Sequence, residues 1–75
     1  MKVYIKDTQA TKAQIYSRGI TIDDFSQVIG INYPYMSRIL NRRTALSPTL
    51  AKRIADELGE EIRDVFEFDA EGRSV

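Results

Sequence analysis

The residues of this chain best equipped for chemistry stand between positions 32 and 41. Asn32, Tyr33, Pro34, Ser37, Arg38 and Asn41 are spaced by three and four, with no acid among them. On a helix that spacing places side chains on a common face. A guanidinium, two carboxamides and two hydroxyls without a carboxylate make a surface rich in hydrogen-bond donors, and it suits the edge of a nucleic-acid duplex. Each residue also has a plainer role. Asn32 is equally a helix cap, and Pro34 fits a first helical turn, where its missing amide costs little. Pro34 also biases Tyr33 away from helical angles, which would delay the helix start. Tyr35 is expected to pack inward.

Positioning such a face requires two short helices folded across a turn, and Thr21 to Asn41 has the residues for them. Thr21 caps a helix whose first turn holds Asp23 and Asp24, where negative charge is favoured by exposed amides and the helix dipole. Phe25 and Ile29 stand four apart on one side, and Ser26 is small where a second helix crossing steeply leaves little room. Gly30 tolerates the positive φ of a sharp reversal. Ile31 plugs the corner, Asn32 caps the second helix, and Met36, Ile39 and Leu40 give that helix its buried stripe.

Length and composition narrow the rest. Seventy-five residues make one domain, in which only about 60% of the unfolded surface can be buried. The absence of cysteine and histidine excludes disulfides, thiol chemistry, imidazole acid-base catalysis and Cys/His zinc sites. A carboxylate-only metal site is the one kind left open; no metal, cofactor or catalytic group is expected. No apolar run approaches the ~20 residues of a membrane span, and MKVYIKDTQ lacks the apolar stretch of a signal peptide, so a cytoplasmic location is expected.

The formal net charge is zero, but the charges are segregated. Residues 31–53 hold Arg38, Arg42, Arg43, Lys52 and Arg53 and no acid, whereas residues 54–71 set Arg63 against Asp56, Glu57, Glu60, Glu61, Asp64, Glu67, Asp69 and Glu71. The positive block coincides with the proposed reading helix and the loop behind it. Lys52 and Arg53 would extend the basic edge or, on the simpler expectation, cover the fourth helix with their stems.

Along the chain, Val3, Tyr4 and Ile5 read as a short strand within residues 1–7, and Phe66-Glu67-Phe68-Asp69 as a second one whose alternation places both phenylalanines on one side. The two ends would pair within one chain or between two, with support from the helices or a second subunit. Thr8 begins a first helix running to about Arg18 and ending at Gly19, with Ala10, Ala13, Ile15 and Tyr16 as its apolar residues. Ser47 and Pro48 start a fourth helix, which buries Leu50, Ala51, Ile54, Ala55 and Leu58 and stops at Gly59. Glu60 and Glu61 favour the start of a fifth, edged by Ile62, Val65 and Phe66. Residues 8–66 form the helical core and residues 67–75 a strand and tail, the last residues, AEGRSV, being loose.

The order Thr21, Phe25, Ser26, Gly30, Ile31, Met36, Ser37, Ile39, followed by Ser47-Pro48 and by IADELGEEIRDVF, resembles the helix-turn-helix family of Cro and phage-repressor (XRE-type) regulators over roughly Thr8 to Phe66. The resemblance implies a mainly α, compact five-helix repressor-like domain with short amino- and carboxyl-terminal β-strands. It also implies a sequence-specific regulator of phage or mobile-element type, whose helix at about residues 33–41 enters the major groove of double-stranded DNA. Arg38 would then contact guanine, a pairing that gives about 1–3 kcal/mol of discrimination. Asn32 and Asn41 would read adenine or hold phosphates, Tyr33 and Pro34 would meet a thymine methyl, and Ser37 would serve either way. Arg42, Arg43 and Thr44 occupy the loop where the family makes backbone contacts, and amides near Thr21 and Ile22 face a phosphate as helix amino termini do. Against the family pattern stand Thr11 and Gln14 in place of aliphatic residues, Ile22 in place of a polar one, Arg42 in place of glycine and Leu46 in place of proline. Useful affinity calls for a homodimer on DNA, with Val65, Phe68 and Tyr4 as candidate contacts.

A second reading makes the chain a protein-interaction module, an antitoxin or adaptor docking its acidic carboxyl-terminal third, Asp56 to Glu71, on a basic partner. An enzyme fits worst. The carboxylate pairs Asp23-Asp24 and Glu60-Glu61 point apart on a helix and are explained as amino-terminal helix charges, and no phosphate-cradling glycine loop or nucleophile-base pair occurs.

Overall fold

Four of the helices begin where a side-chain oxygen accepts an amide hydrogen two or three residues into the first turn. The caps are Asp7 for α1 (Thr8–Tyr16), Thr21 for α2 (Ile22–Ile29), Asn32 for α3 (Tyr33–Leu40) and Ser47 for α4 (Pro48–Leu58). A one-turn α5 (Ile62–Val65) follows without a side-chain cap, and short strands β1 (Lys2–Ile5) and β2 (Phe66–Asp69) flank the helices. The computed structural model describes residues 2–69. The expected loose tail AEGRSV, with Arg73, lies outside the described residues. The architecture is mainly α, as expected.

The first helix begins at Thr8, as expected, but ends earlier than expected. The cap of α1 is Asp7, whose carboxylate accepts from the Ala10 amide at 3.1 Å. Thr8 is left free to send its hydroxyl to the Leu40 carbonyl, 2.6 Å away at the end of α3. The helix stops at Tyr16, because Arg18 and Gly19 donate to Ile15 and Tyr16 and tighten the chain into a turn. Its buried face is Thr11 and Ile15, four apart, while Ala10, Ala13 and Tyr16 face outward. Thr11 can stand where an aliphatic residue was expected because its hydroxyl donates to the Asp7 carbonyl at 2.9 Å, which leaves its methyl group to pack.

Phe25, Ile29, Met36, Ile39 and Leu40 from the central pair meet Ile15, Ala51, Ile54, Ala55, Leu58, Val65 and Phe66 in one buried cluster. Leu50 is only half-buried, packed on its rim. Ser26 is fully buried at the crossing of α2 with its neighbours, and its hydroxyl donates to the Ile22 carbonyl at 2.8 Å. Ile22 itself turns into the core, which explains an apolar side chain at that place.

The strands pair within the chain, antiparallel, with Lys2 opposite Asp69, Val3 opposite Phe68, Tyr4 opposite Glu67 and Ile5 opposite Phe66. So small a ribbon holds because Val3, Ile5 and Phe66 sink into the core. Leu46 adds a bridge to Val3, donating its amide at 3.0 Å. Phe66 therefore belongs to β2, not to the fifth helix. Phe66 and Phe68 share a face by alternation, but Phe68 runs past the core and is 41% exposed. Val65, expected as a possible subunit contact, is buried in the monomer.

Candidate nucleic-acid interface

The turn between α2 and α3 is built from backbone. Gly30 takes φ +96°, and the Ser26 carbonyl accepts both the Gly30 amide at 2.8 Å and the Ile31 amide at 3.1 Å. The guanidinium of Arg53 donates to the Ile29 carbonyl, placing positive charge at the end of α2. Arg53 thus has a structural partner. Lys52 makes an ion pair with Asp56 one turn on, at 3.0 Å. Both head groups thus have partners within the chain.

Asn32 accepts the Tyr35 amide at 2.8 Å and starts α3. Pro34 sits in the first turn without delaying the helix, because Tyr33 is already its first residue. Met36, Ile39 and Leu40 are buried, so the opposite side of α3 faces outward. There the structure brings together Tyr33, Pro34 and Arg38, all exposed, with half-buried Ser37 beside them. The Arg38 guanidinium lies over the ring of Tyr35, 5.9 Å from its centre, and makes no hydrogen bond or ion pair among the described residues. A planar cation resting on an aromatic face keeps its forked donors available. Tyr35 itself packs against the core rim, as expected.

Asn41 differs from its neighbours. Its amide nitrogen donates to the Ser37 carbonyl at 2.9 Å and lies 3.4 Å from the Ser37 hydroxyl, and its oxygen accepts from the Lys12 ammonium at 3.3 Å. It closes the helix and stays exposed. Beyond it, Arg42 adopts φ +61°, and the Arg43 amide reaches back to the Arg38 carbonyl at 2.8 Å. The Arg43 side chain is exposed, Thr44 is half-buried with its hydroxyl 3.3 Å from the Ala45 carbonyl, and Arg42 forms an ion pair with Glu67 of β2. At the start of α2, Thr21 and Asp24 cap each other reciprocally at 3.0 and 3.1 Å, which occupies the Thr21 amide.

Among the long-range contacts that the sequence reading missed are Thr8 to Leu40, Lys12 to Asn41, Arg18 to the Leu58 carbonyl, Arg53 to the Ile29 carbonyl, and Arg42 to Glu67. Of these only Arg42 had drawn notice in the sequence, as a departure from the pattern that the resemblance implied.

Two helices crossing over a glycine turn, the second with an exposed acid-free side, define a helix-turn-helix DNA-binding domain. The chain belongs to the family of Cro/C1-type HTH DNA-binding domains, whose family model matches residues 12–71. It is a DNA-binding domain of the kind found in regulators. Comparisons with curated proteins and with solved structures give no match. Among the described residues no helix is long and apolar enough to cross a membrane.

Proposed function

We propose that the chain is a sequence-specific, repressor-like regulator that lays α3 in the major groove of double-stranded DNA and binds as a homodimer in the cytoplasm. The observation that carries this reading is Arg38: exposed, placed over the Tyr35 ring, and without an acidic partner among the described residues. In this role Arg38 reads guanine, Tyr33 and Pro34 meet the neighbouring base, and Asn32 and Ser37 supply short polar contacts. Asn41, tied to Ser37 and Lys12, holds the helix end and offers its exposed edge to the duplex. Arg42, Arg43, Thr44 and the Ile22 amide track phosphates and carry no sequence information, while the Thr21 amide stays with Asp24 in the cap. Half-sites about 34–36 Å apart suit a two-fold dimer. With Val65 in the core, Tyr4 and Phe68 on the ribbon are the contacts left to make it.

Selection from a random duplex pool with the purified chain should yield a preferred site. On that site Arg38→Ala should cost about 1–3 kcal/mol of discrimination. Arg43→Ala should weaken every duplex alike and flatten the slope of log K against log salt by about 0.9. If both variants bind selected and random duplex as the parent does, α3 is not the reading element.

A protein-docking role is favoured by one observation: Glu57 on α4, Glu61 just before α5 and Asp64 on α5 are exposed and make no ion pair among the described residues. Co-purification of a basic partner, with no duplex binding at low salt, would put that reading first.

A further inference from the structure

Arg42 stands at the junction between the reading helix and the loop behind it, in a left-handed conformation that L residues disfavour. Its amide donates to the Ile39 carbonyl at 3.1 Å, closing α3. Its guanidinium is taken by the Oε2 atom of Glu67, as both hydrogen bond and ion pair, with the two side chains 47% and 44% exposed. Glu67 is not on a loose arm. It lies in β2 opposite Tyr4, directly after Phe66, which is anchored in the core. The carboxylate is therefore presented to the loop by a strand that the core holds in place.

To a guanidinium, a carboxylate and a phosphate are alike: each offers oxygens carrying negative charge at a spacing that matches the fork. We propose that Glu67 is an intramolecular competitor for the DNA phosphate at Arg42. In the free protein the terminal ribbon holds the arginine. On a duplex the arginine exchanges the carboxylate for a phosphate oxygen, so the ribbon sets how tightly and how salt-sensitively the helix-turn-helix unit grips DNA. This rests on the duplex-binding role proposed above and adds to it a device that lowers affinity without touching a base.

Physical scale favours a tuner over a lock. Half-exposed ion pairs are weak and screened by salt, so the exchange is nearly balanced. While Glu67 is present, Arg42 counts as less than one full phosphate contact.

The test is a mutant cycle on the full chain, using the duplex selected from the random pool and a random duplex, over about 50–200 mM salt. Glu67→Gln keeps the shape of the side chain and removes its charge. It should tighten binding to both duplexes about two- to fivefold and steepen the salt slope by up to about 0.9. In an Arg42→Gln background the same change should do nothing. Unchanged or weaker binding by E67Q, or an equal gain in the Arg42→Gln background, overturns the competition. If E67Q does not fold, the parent decides: the Arg42 Nε–H resonance should shift when duplex is added, and an unmoved signal overturns the exchange. A parent that binds no duplex at all defeats the proposed function itself, whereas a parent that binds with E67Q indifferent defeats this inference alone.

Discussion

Helices α2 and α3 end in the same fashion at chemically different residues. Each passes into a left-handed residue, α2 directly at Gly30 (φ +96°) and α3 one residue later, beyond Asn41, at Arg42 (φ +61°), and the next amide reaches back five positions, from Ile31 to Ser26 and from Arg43 to Arg38. Each also receives a distant side-chain donor on its last carbonyl, Arg53 on Ile29 and Thr8 on Leu40. The first turn needs nothing from its own side chain, because glycine adopts the conformation freely. The second places a long cation where glycine would be easier, and that cation is engaged by Glu67 at the far end of the chain. The glycine end maintains the angle between the helices. The arginine end gives up conformational ease and gains a charge beside the reading face.

Substitutions can break or sharpen this contrast. The largest effect is expected at Ser26, which accepts both amides of the first turn and has no exposed surface. Ser26→Leu would overpack the crossing and should cost about 3 kcal/mol in urea unfolding. A loss below about 0.5 kcal/mol would show that the helices have room to part. Next comes Gly30→Val, which forces a β-branched side chain into the left-handed region. A loss of about 1–2 kcal/mol is expected, seen as a thermal midpoint lower by roughly 4–16 °C. Arg53→Met keeps an apolar stem but strips the Ile29 carbonyl of its donor, and should cost about 1 kcal/mol, since partial exposure lets water replace some of the bond.

Arg42→Gly is expected to act in the opposite direction. Relief of the left-handed strain outweighs a half-exposed ion pair, for a net gain of about 0.5 kcal/mol. Duplex binding should weaken at the same time, because a phosphate contact is lost. If stability instead falls by more than about 1 kcal/mol, the ion pair dominates the backbone, and the two helix ends are less alike than their hydrogen bonds suggest.

How much could be read in advance follows the same division. The α2 turn, the caps at Thr21, Asn32 and Ser47, and the buried stripe of α3 were legible because they depend on residues within four positions of one another. The first helix was read less well. Asp7 and Thr8 are adjacent and both able to cap, and Thr11 passes for a surface residue unless its hydroxyl is known to be satisfied by the Asp7 carbonyl. At the carboxyl-terminal end, Phe66 was read twice, as the apolar edge of a fifth helix beside Val65 and as the first residue of a strand running to Asp69. The ribbon decides for the strand, and the core covers Val65. The outer face of α3 was expected, but the attachment of Asn41 to Lys12 and the resting place of Arg38 on Tyr35 were not.

The amino-acid sequence by itself determined the class of this protein, through helix periods, a glycine at the corner between α2 and α3, and a basic stretch free of acids. Those features are local, and local preference survives in any compact arrangement of the chain. Tertiary structure alone decided which flexible side chains meet: Thr8 with Leu40, Arg18 with Leu58, Arg53 with Ile29 and Arg42 with Glu67. A long polar side chain takes whichever partner the packed backbone brings within about 3 Å, and no spacing along the chain records that distance.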